Sequence, residues 1–388
     1  MYHFMEHLYK IAILLLLASC SDAPEAPTVP DDPEFPAPPD GEGLQLVSAV
    51  HVEPGEEQHA CRYLVLPDSA LEIAKLQHHY TAGSHHMLLY PTNKQPSEVD
   101  NGAVFDCLSA GDLGATGVLY GSSVPDGELP YPDGIALKLA PRSVVLLETH
   151  YLNPAETALD AVARINLWFT TTPATIEAGT LFFRDWALYL PPTGAVETRV
   201  AMRCQIPEDI ELLYATSHMH KRGTTFDSTV DGESLHVSDS WDSPTPSVFW
   251  PPRQIAGGST IEFSCGYRNT DGRVVIEGPS AETDEMCVLV GGYWPRLPLD
   301  AELCLADGSG PVLEGTRTCE QTVDCMVDAG VDNWVGGQQC VTDACAGSAE
   351  ALSSFVVCVN RHDCWGDPTC VASQCPEEWN SCTQARCN

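Results

Sequence analysis

Along this chain apolar residues alternate with polar ones or gather in short runs, and glycine and proline break the runs before helical spacing is established. Side chains two apart share one face of a strand, so the pattern predicts many short strands joined by tight turns. An all-β class follows, and 388 residues suffice for two ordinary domains with segments to spare. Two stretches depart from the pattern. The apolar run at 11–18 is too short to span a bilayer and has the form of a signal-peptide core. Beyond it, prolines at 24, 27, 30, 33 and 36 recur every third residue, the period of polyproline II. Residues 21–43 therefore read as a stiff acidic tether. At about 3.1 Å per residue it could hold the first folded domain roughly 70 Å from its anchor.

Leu17-Ala18-Ser19-Cys20 at the end of the apolar run reads as a bacterial lipobox, with Cys20 as the acylated first residue of the mature chain. Ser21 then favours an extracytoplasmic lipoprotein of the outer membrane or cell surface. The alternative is an ordinary secretory signal that contains a cysteine. Asp and Glu outnumber Lys and Arg 54 to 19, a field that repels phosphate backbones and anionic headgroups. Nucleic acid is excluded as a partner on that ground, and a lipid anchor is left as the membrane contact.

Setting Cys20 aside leaves sixteen cysteines, an even number suited to disulfides in an exported chain. Six lie within 44–308, namely Cys61, Cys107, Cys204, Cys265, Cys287 and Cys304, and ten crowd the last seventy residues. Residues 309–388 are thus a separate cysteine-rich module. Its spacing repeats: Cys319, Cys325, Cys340 and Cys345 are echoed by Cys358, Cys364, Cys370 and Cys375, with Cys382 and Cys387 following. A run of small disulfide-stapled units is expected there, and the missing Cys-x-x-Cys pairs argue against zinc. The tail as a module for an unknown surface partner is a further reading, with no motif that names the partner.

Four segments set histidine or methionine in strand-like surroundings: His85-His86-Met87-Leu88-Leu89-Tyr90, Glu148-Thr149-His150-Tyr151, His218-Met219-His220 and Glu285-Met286-Cys287. On a strand, His218 and His220 project together as a chelating pair, with Met219 turned away. A thioether is a soft ligand that favours the cuprous state, so Met286 added to that pair selects copper over zinc. Alone, Met286 would be a core residue. His85 and His86 are adjacent, and both reach one metal only if the strand is irregular there. His78-His79, His51, His59, His236 and His362 have no matching company and are expected to be bystanders.

In order and context these segments resemble the metal-binding motifs of the copper type II, ascorbate-dependent monooxygenases, the group of dopamine beta-monooxygenase and peptidylglycine alpha-hydroxylating monooxygenase. The resemblance covers about residues 44–308, and the Asn153-Pro154 that follows His150 favours the dopamine branch. It implies two tandem jelly-roll β-sandwiches, at 44–173 and 174–308, each with one copper, facing each other across an open, solvent-filled cleft. His85, His86 and His150 are the implied ligands of an electron-transfer copper, and His218, His220 and Met286 those of a catalytic copper that activates dioxygen. The implied bridges are Cys61–Cys107, Cys204–Cys304 and Cys265–Cys287.

The implied activity is hydroxylation of an aliphatic C–H of a small organic substrate with O2, the electrons coming from ascorbate or another one-electron reductant. Where the peptide branch has an arginine two residues before His-x-His, this chain has Thr216. Where that branch has asparagine and tyrosine after the methionine, it has Val288 and Val290. Peptide substrates are disfavoured on both counts. A non-catalytic copper-binding surface lipoprotein is the alternative function.

Overall fold

The computed structural model describes Val29 and residues 32–109, 113–330 and 332–387, with the side chains of Ser84, His85 and Ser109 outside the description. Cys20 and the apolar run lie outside the described residues, as does most of 21–31. The fold is mostly β, with a disulfide-rich C-terminal region.

The principal strands of the first half are β1 Gly43–Val52, β2 Glu57–Val65, β3 Leu71–Tyr80, β4 Ser84–Pro91, β5 Tyr120–Ser122, β6 Ile135–Leu139, β7 Val144–Leu152 and β8 Leu159–Phe169. They form two sheets, ordered β1-β8-β3-β6 and β2-β7-β4-β5. The alternating residues Ile73, Leu76, Ile165 and Leu167 of one sheet share a core with Met87, Leu89, Val145 and Leu147 of the other. The half is therefore a two-layered sandwich.

The second half repeats the plan with β9 Gly179–Arg184, β10 Thr198–Gln205, β11 Ile210–Met219, β12 Gly223–Val230, β13 Glu233–Ser238, β14 Ser247–Ile255, β15 Thr260–Tyr267 and β16 Cys287–Trp294. Its sheets run β9-β16-β11-β14 and β10-β15-β12-β13. Leu181, Phe183, Leu212 and Leu289 meet Met202, Phe226, Ile261 and Phe263 in its core. The chain leaves the first sandwich only after Ile176–Glu177, a short strand that still pairs in parallel with Ile135 and Ala136.

The two sandwiches are packed together. Tyr214 and Trp294, on the outer face of the β9-β16-β11-β14 sheet, are buried in the first sandwich's core cluster. Thr180 donates to the Leu119 carbonyl at 2.9 Å, and Arg296 reaches Glu177 at 2.9 Å.

Two expectations are corrected. The segment read as a tether is held against the first sandwich from Asp32 on. Asn166 donates to the Pro36 carbonyl at 2.9 Å, and Asp32 lies 3.7 Å from Arg164. The tail is helical, with α1 Leu299–Glu302 at its approach and α2 Cys319–Ala329, α3 Trp334–Thr342, α4 Ala349–His362, α5 Pro368–Gln374 and α6 Pro376–Gln384 within it. Thr318 and Gln321 cap α2 reciprocally, and Ala351, Leu352, Phe355, Val356 and Val359 give α4 one buried stripe.

The tail is also one unit and not a run of separate ones. Cys325–Cys340, Cys358–Cys375 and Cys364–Cys370 are local bridges, whereas Cys319–Cys382 and Cys345–Cys387 tie its start to its end. In the sandwiches the bridges are Cys61–Cys107, Cys204–Cys304 and Cys265–Cys287. Eight disulfides mark an extracytoplasmic protein.

The Cys204–Cys304 bridge closes a span of 100 residues around the second sandwich. Loop-closure entropy gives such a bridge about 4 to 5 kcal/mol. A Cys204→Ser/Cys304→Ser double variant is expected to lose on the order of 4 kcal/mol in guanidinium denaturation. An unchanged midpoint would show that packing alone holds that half closed.

Candidate metal centre

His59 on β2 stands directly opposite His150 on β7, which stands directly opposite His86 on β4. Cross-strand partners bring their side chains together, so one row of the sheet carries three imidazoles. The His59 and His150 rings stack at 3.7 Å, and His86 meets His150 edge-on at 4.9 Å. Because Leu147 and Met87 point into the core, alternation turns His150 and His86 to the outer face, toward the second sandwich. The ladder slips between Ser84 and His86, so the strand is irregular at the His85-His86 pair. The His85 backbone lies in β4 and its side chain lies outside the described residues.

Carboxylates surround the row. Glu148 shares the outer face of β7 with His150 and accepts from His59 Nδ1 at 3.3 Å and from the Tyr90 hydroxyl at 2.6 Å, with His86 Nε2 at 4.0 Å. Burial raises its pKa, but the hydrogen bonds from His59 and His86 and the charge of His86 outweigh that and hold it well below the usual carboxylate range. Glu57 Oε1 lies 2.9 Å from His150 Nε2 and accepts the Ala281 amide at 2.8 Å, while its Oε2 accepts from the Ser280 hydroxyl at 2.9 Å. One carboxylate thus joins the row to the loop of the second sandwich that leads to Met286.

On the second sandwich, Ala215 and Met219 of β11 face its core, which turns His218 outward. The His218 ring meets His86 edge-on at 5.0 Å and His220 at 5.3 Å, and the Ser123 hydroxyl lies 3.5 Å from His218 Nδ1. His220 is fully buried, and its Nδ1 lies 3.3 Å from the Asp284 carbonyl. A carbonyl only accepts, so that nitrogen carries the proton and Nε2 keeps its lone pair. Burial pushes the His220 pKa down to about 3. His150 also sits well below the ordinary histidine value, through burial and then the charges of His86 and His59.

The β11–β16 ladder pairs His218 with Val288 and Met219 with Cys287. The ladder ends at that pair; carried one step further, its register would set Met286 opposite His220 and on the face of Val288 and His218. Met286 is half-buried, and its carbonyl accepts from the Tyr267 hydroxyl at 2.6 Å. The preceding Glu285, fully buried, accepts the backbone amides of His220 at 2.9 Å and Arg222 at 2.8 Å. That clamp fixes the histidine turn against the methionine segment. Burial, partly offset by those amides, raises the Glu285 pKa to about 7.

The structure therefore gathers His86, His150, His218 and His220 into one contiguous cluster, with Met286 placed beside it by strand register. The open cleft expected between two separate sets is not observed at this point, where His218 of β11 meets His86 of β4 edge-on. His59, expected to be a bystander, stands in the row, and Glu57 and Glu148 had no role assigned from the sequence. Their signal was period two: Glu57, His59 and Cys61 share one strand face, as do Glu148 and His150.

His78 and His236 stand apart from the cluster. His78 Nδ1 meets the Tyr120 hydroxyl at 2.7 Å, and His236 sits between Ser217 and Ser247. A groove of about 560 Å³ between Arg203, Thr229, Asp231 and Glu262 shares no residue with the cluster. A donor set of imidazoles, with a thioether at its margin, fits copper.

No family model and no curated protein matches the chain. Among solved structures it is similar to a peptide-N(4)-(N-acetyl-beta-D-glucosaminyl) asparagine amidase, at 8% identity and a TM-score of 0.27, over 63% of this chain and 95% of that one. It is also similar to the major capsid protein P2 of bacteriophage PM2, at 9% identity and 0.24, over 65% and 99%. A third is A223, a turret protein of Sulfolobus turreted icosahedral virus, at 8% identity and 0.15, over 65% and 99%. Scores of this size carry no argument about fold or function.

The His220 value sets a pH dependence. Between pH 6.5 and about 3 the unfolded chain binds a proton at this residue that the folded chain does not, so stability falls as the solution is acidified through that window. At pH 5 the penalty is on the order of 2 kcal/mol. The metal-free protein's thermal midpoint is expected to drop between about pH 7 and about pH 5, and His220→Gln to flatten that slope. Identical slopes would mean that His220 is charged in the folded state.

Proposed function

We propose that the chain is an exported copper-dependent monooxygenase that hydroxylates an aliphatic C–H of a small organic substrate, using O2 and a reductant such as ascorbate. The observation that carries the reading is the meeting of His86 and His150 from one sandwich with His218 and His220 from the other, with Met286 one step beyond the ladder that carries His218. The strand order common to both halves supports tandem jelly rolls, as the resemblance to the copper type II monooxygenases implies. Lipidation at Cys20, with display on the outer membrane or cell surface, belongs to the same proposal.

Copper held by these donors supplies one-electron transfer and dioxygen activation. The chain's own residues fix the donors. Asp284 sets the tautomer of His220 so that Nε2 faces a metal, Glu285 ties the His220 turn to the strand bearing Met286, and Glu148 orients His59 and lies beside His86. Packing of the two sandwiches keeps bulk water from His150 and His220, both fully buried. The strand face bearing His218 also presents Thr216, Val288 and Val290. The cation on that face, Arg184 opposite Val288, is paired with Glu277 at 3.2 Å, and this engagement favours a neutral or amine substrate over a peptide.

One observation favours the second reading, a copper-holding surface lipoprotein without catalysis. With the His86 and His218 rings 5.0 Å apart, a substrate between the two ligand sets must first part them. The copper-loaded protein, given ascorbate, O2 and a panel of amines, peptides and small hydrocarbons, is expected to yield a product sixteen mass units heavier. Met286→Ala, still folded, is expected to lose at least about a hundredfold in rate. Tight copper binding with no substrate-stimulated oxygen uptake would select the second reading. An unimpaired Met286→Ala enzyme would refute the assigned role of that methionine.

A further inference from the structure

The row on the first sandwich carries a donor set that the two-copper reading does not use. Glu57 Oε1, His59 Nε2 and His150 Nε2 converge, with Glu57 2.9 Å from His150 and 3.7 Å from His59, and the three residues offer ligand atoms within 4.8 Å of one another. A tetrahedral ion with bonds of about 2.0–2.2 Å sets its donors roughly 3.3–3.5 Å apart, a spacing that the two Glu57 distances bracket, and the stacked His59 and His150 rings must turn toward the ion to seat it.

The surroundings of His59 point the same way. His59 Nδ1 lies 3.3 Å from the Glu148 carboxylate, which leaves Nε2 turned toward Glu57 at 3.7 Å. That Nε2 is buried in a side chain only 2% exposed and has no hydrogen-bond partner among the described residues. A buried ring nitrogen without a partner is costly, and an ion held between it and the Glu57 carboxylate engages both. The ring nitrogen turned away from the ion donates to a carboxylate, as in carboxylate–histidine–zinc arrangements.

We infer that Glu57, His59 and His150 form a site for a divalent ion of the zinc class. Two imidazoles and one carboxylate make a borderline-hard set that suits Zn2+ or another divalent first-row ion and disfavours Cu+. The site shares His150 with the proposed electron-transfer copper, so a divalent ion here and a copper at His86 and His150 compete. Because Glu57 also holds Ser280 and Ala281 of the second sandwich, the ion braces the contact between the two halves.

The test uses the full metal-free chain with Co2+ and Zn2+ as probes, and it does not depend on monooxygenase activity. One Co2+ per chain is expected, with visible d–d bands that Zn2+ abolishes by displacement. X-ray absorption of the zinc form should show imidazole and carboxylate oxygen without sulfur. His59→Gln and Glu57→Gln should each weaken both ions at least tenfold while keeping wild-type near-UV circular dichroism, and Met286→Leu should leave them unchanged.

Absence of the bands, as when His59 is an imidazolium bridging Glu57 and Glu148, overturns the site. So does a sulfur-containing shell, or binding that survives His59→Gln. Loss of Cu+ binding in Met286→Leu with Co2+ binding intact separates this site from the copper reading.

Discussion

The structure around the histidines depends on one constraint: polar rings placed on the outer face of a sheet are buried beneath a second sandwich. Water cannot satisfy them there, so protein groups must, and an unmet partner in such a place costs more than a typical hydrogen bond returns. Three glutamates answer most of that demand. Glu148 serves the His59 side of the row, Glu57 joins His150 to the second sandwich, and Glu285 holds the backbone of the His220 turn. The histidines and the acids are therefore a single design, in which each acid is placed by the strand that carries its neighbour.

The acids are not equivalent. Glu148 is kept ionised by hydrogen bonds and nearby imidazoles, whereas burial holds Glu285 up near neutrality. Low and high carboxyl pKa values within one interface give it both fixed acceptors and a group that can change charge. The surplus of 54 acidic over 19 basic residues surrounds this interior with a field that draws cations inward.

The tail adds stability without adding to the cluster. Its helices dock on the second sandwich, where Gln338 donates to the Trp186 carbonyl at 2.6 Å and a shared apolar patch includes Ala187. Cysteine spacing showed a stapled module, yet the bridges from Cys319 to Cys382 and from Cys345 to Cys387 skip across both repeats. Spacing records which cysteines are close in the chain. Pairing depends on where the packing of α2 against α6 brings them.

Much of the outline was readable from residues alone. Alternation gave strands because a strand's side chains repeat every second position, and His218-x-His220 read as a same-face pair for the same reason. The apolar stripe of α4 was equally present in the sequence, but its helical period was hidden among cysteines. His59 shares a strand face with Glu57, a local sign, but its significance comes from lying opposite the distant His150. Only the tertiary structure decided that the ligand sets abut and that Glu57 bridges the halves. Local periodicity fixes which face a side chain takes. Which distant face comes to cover it is set by sheet register and by the packing of one sandwich on the other.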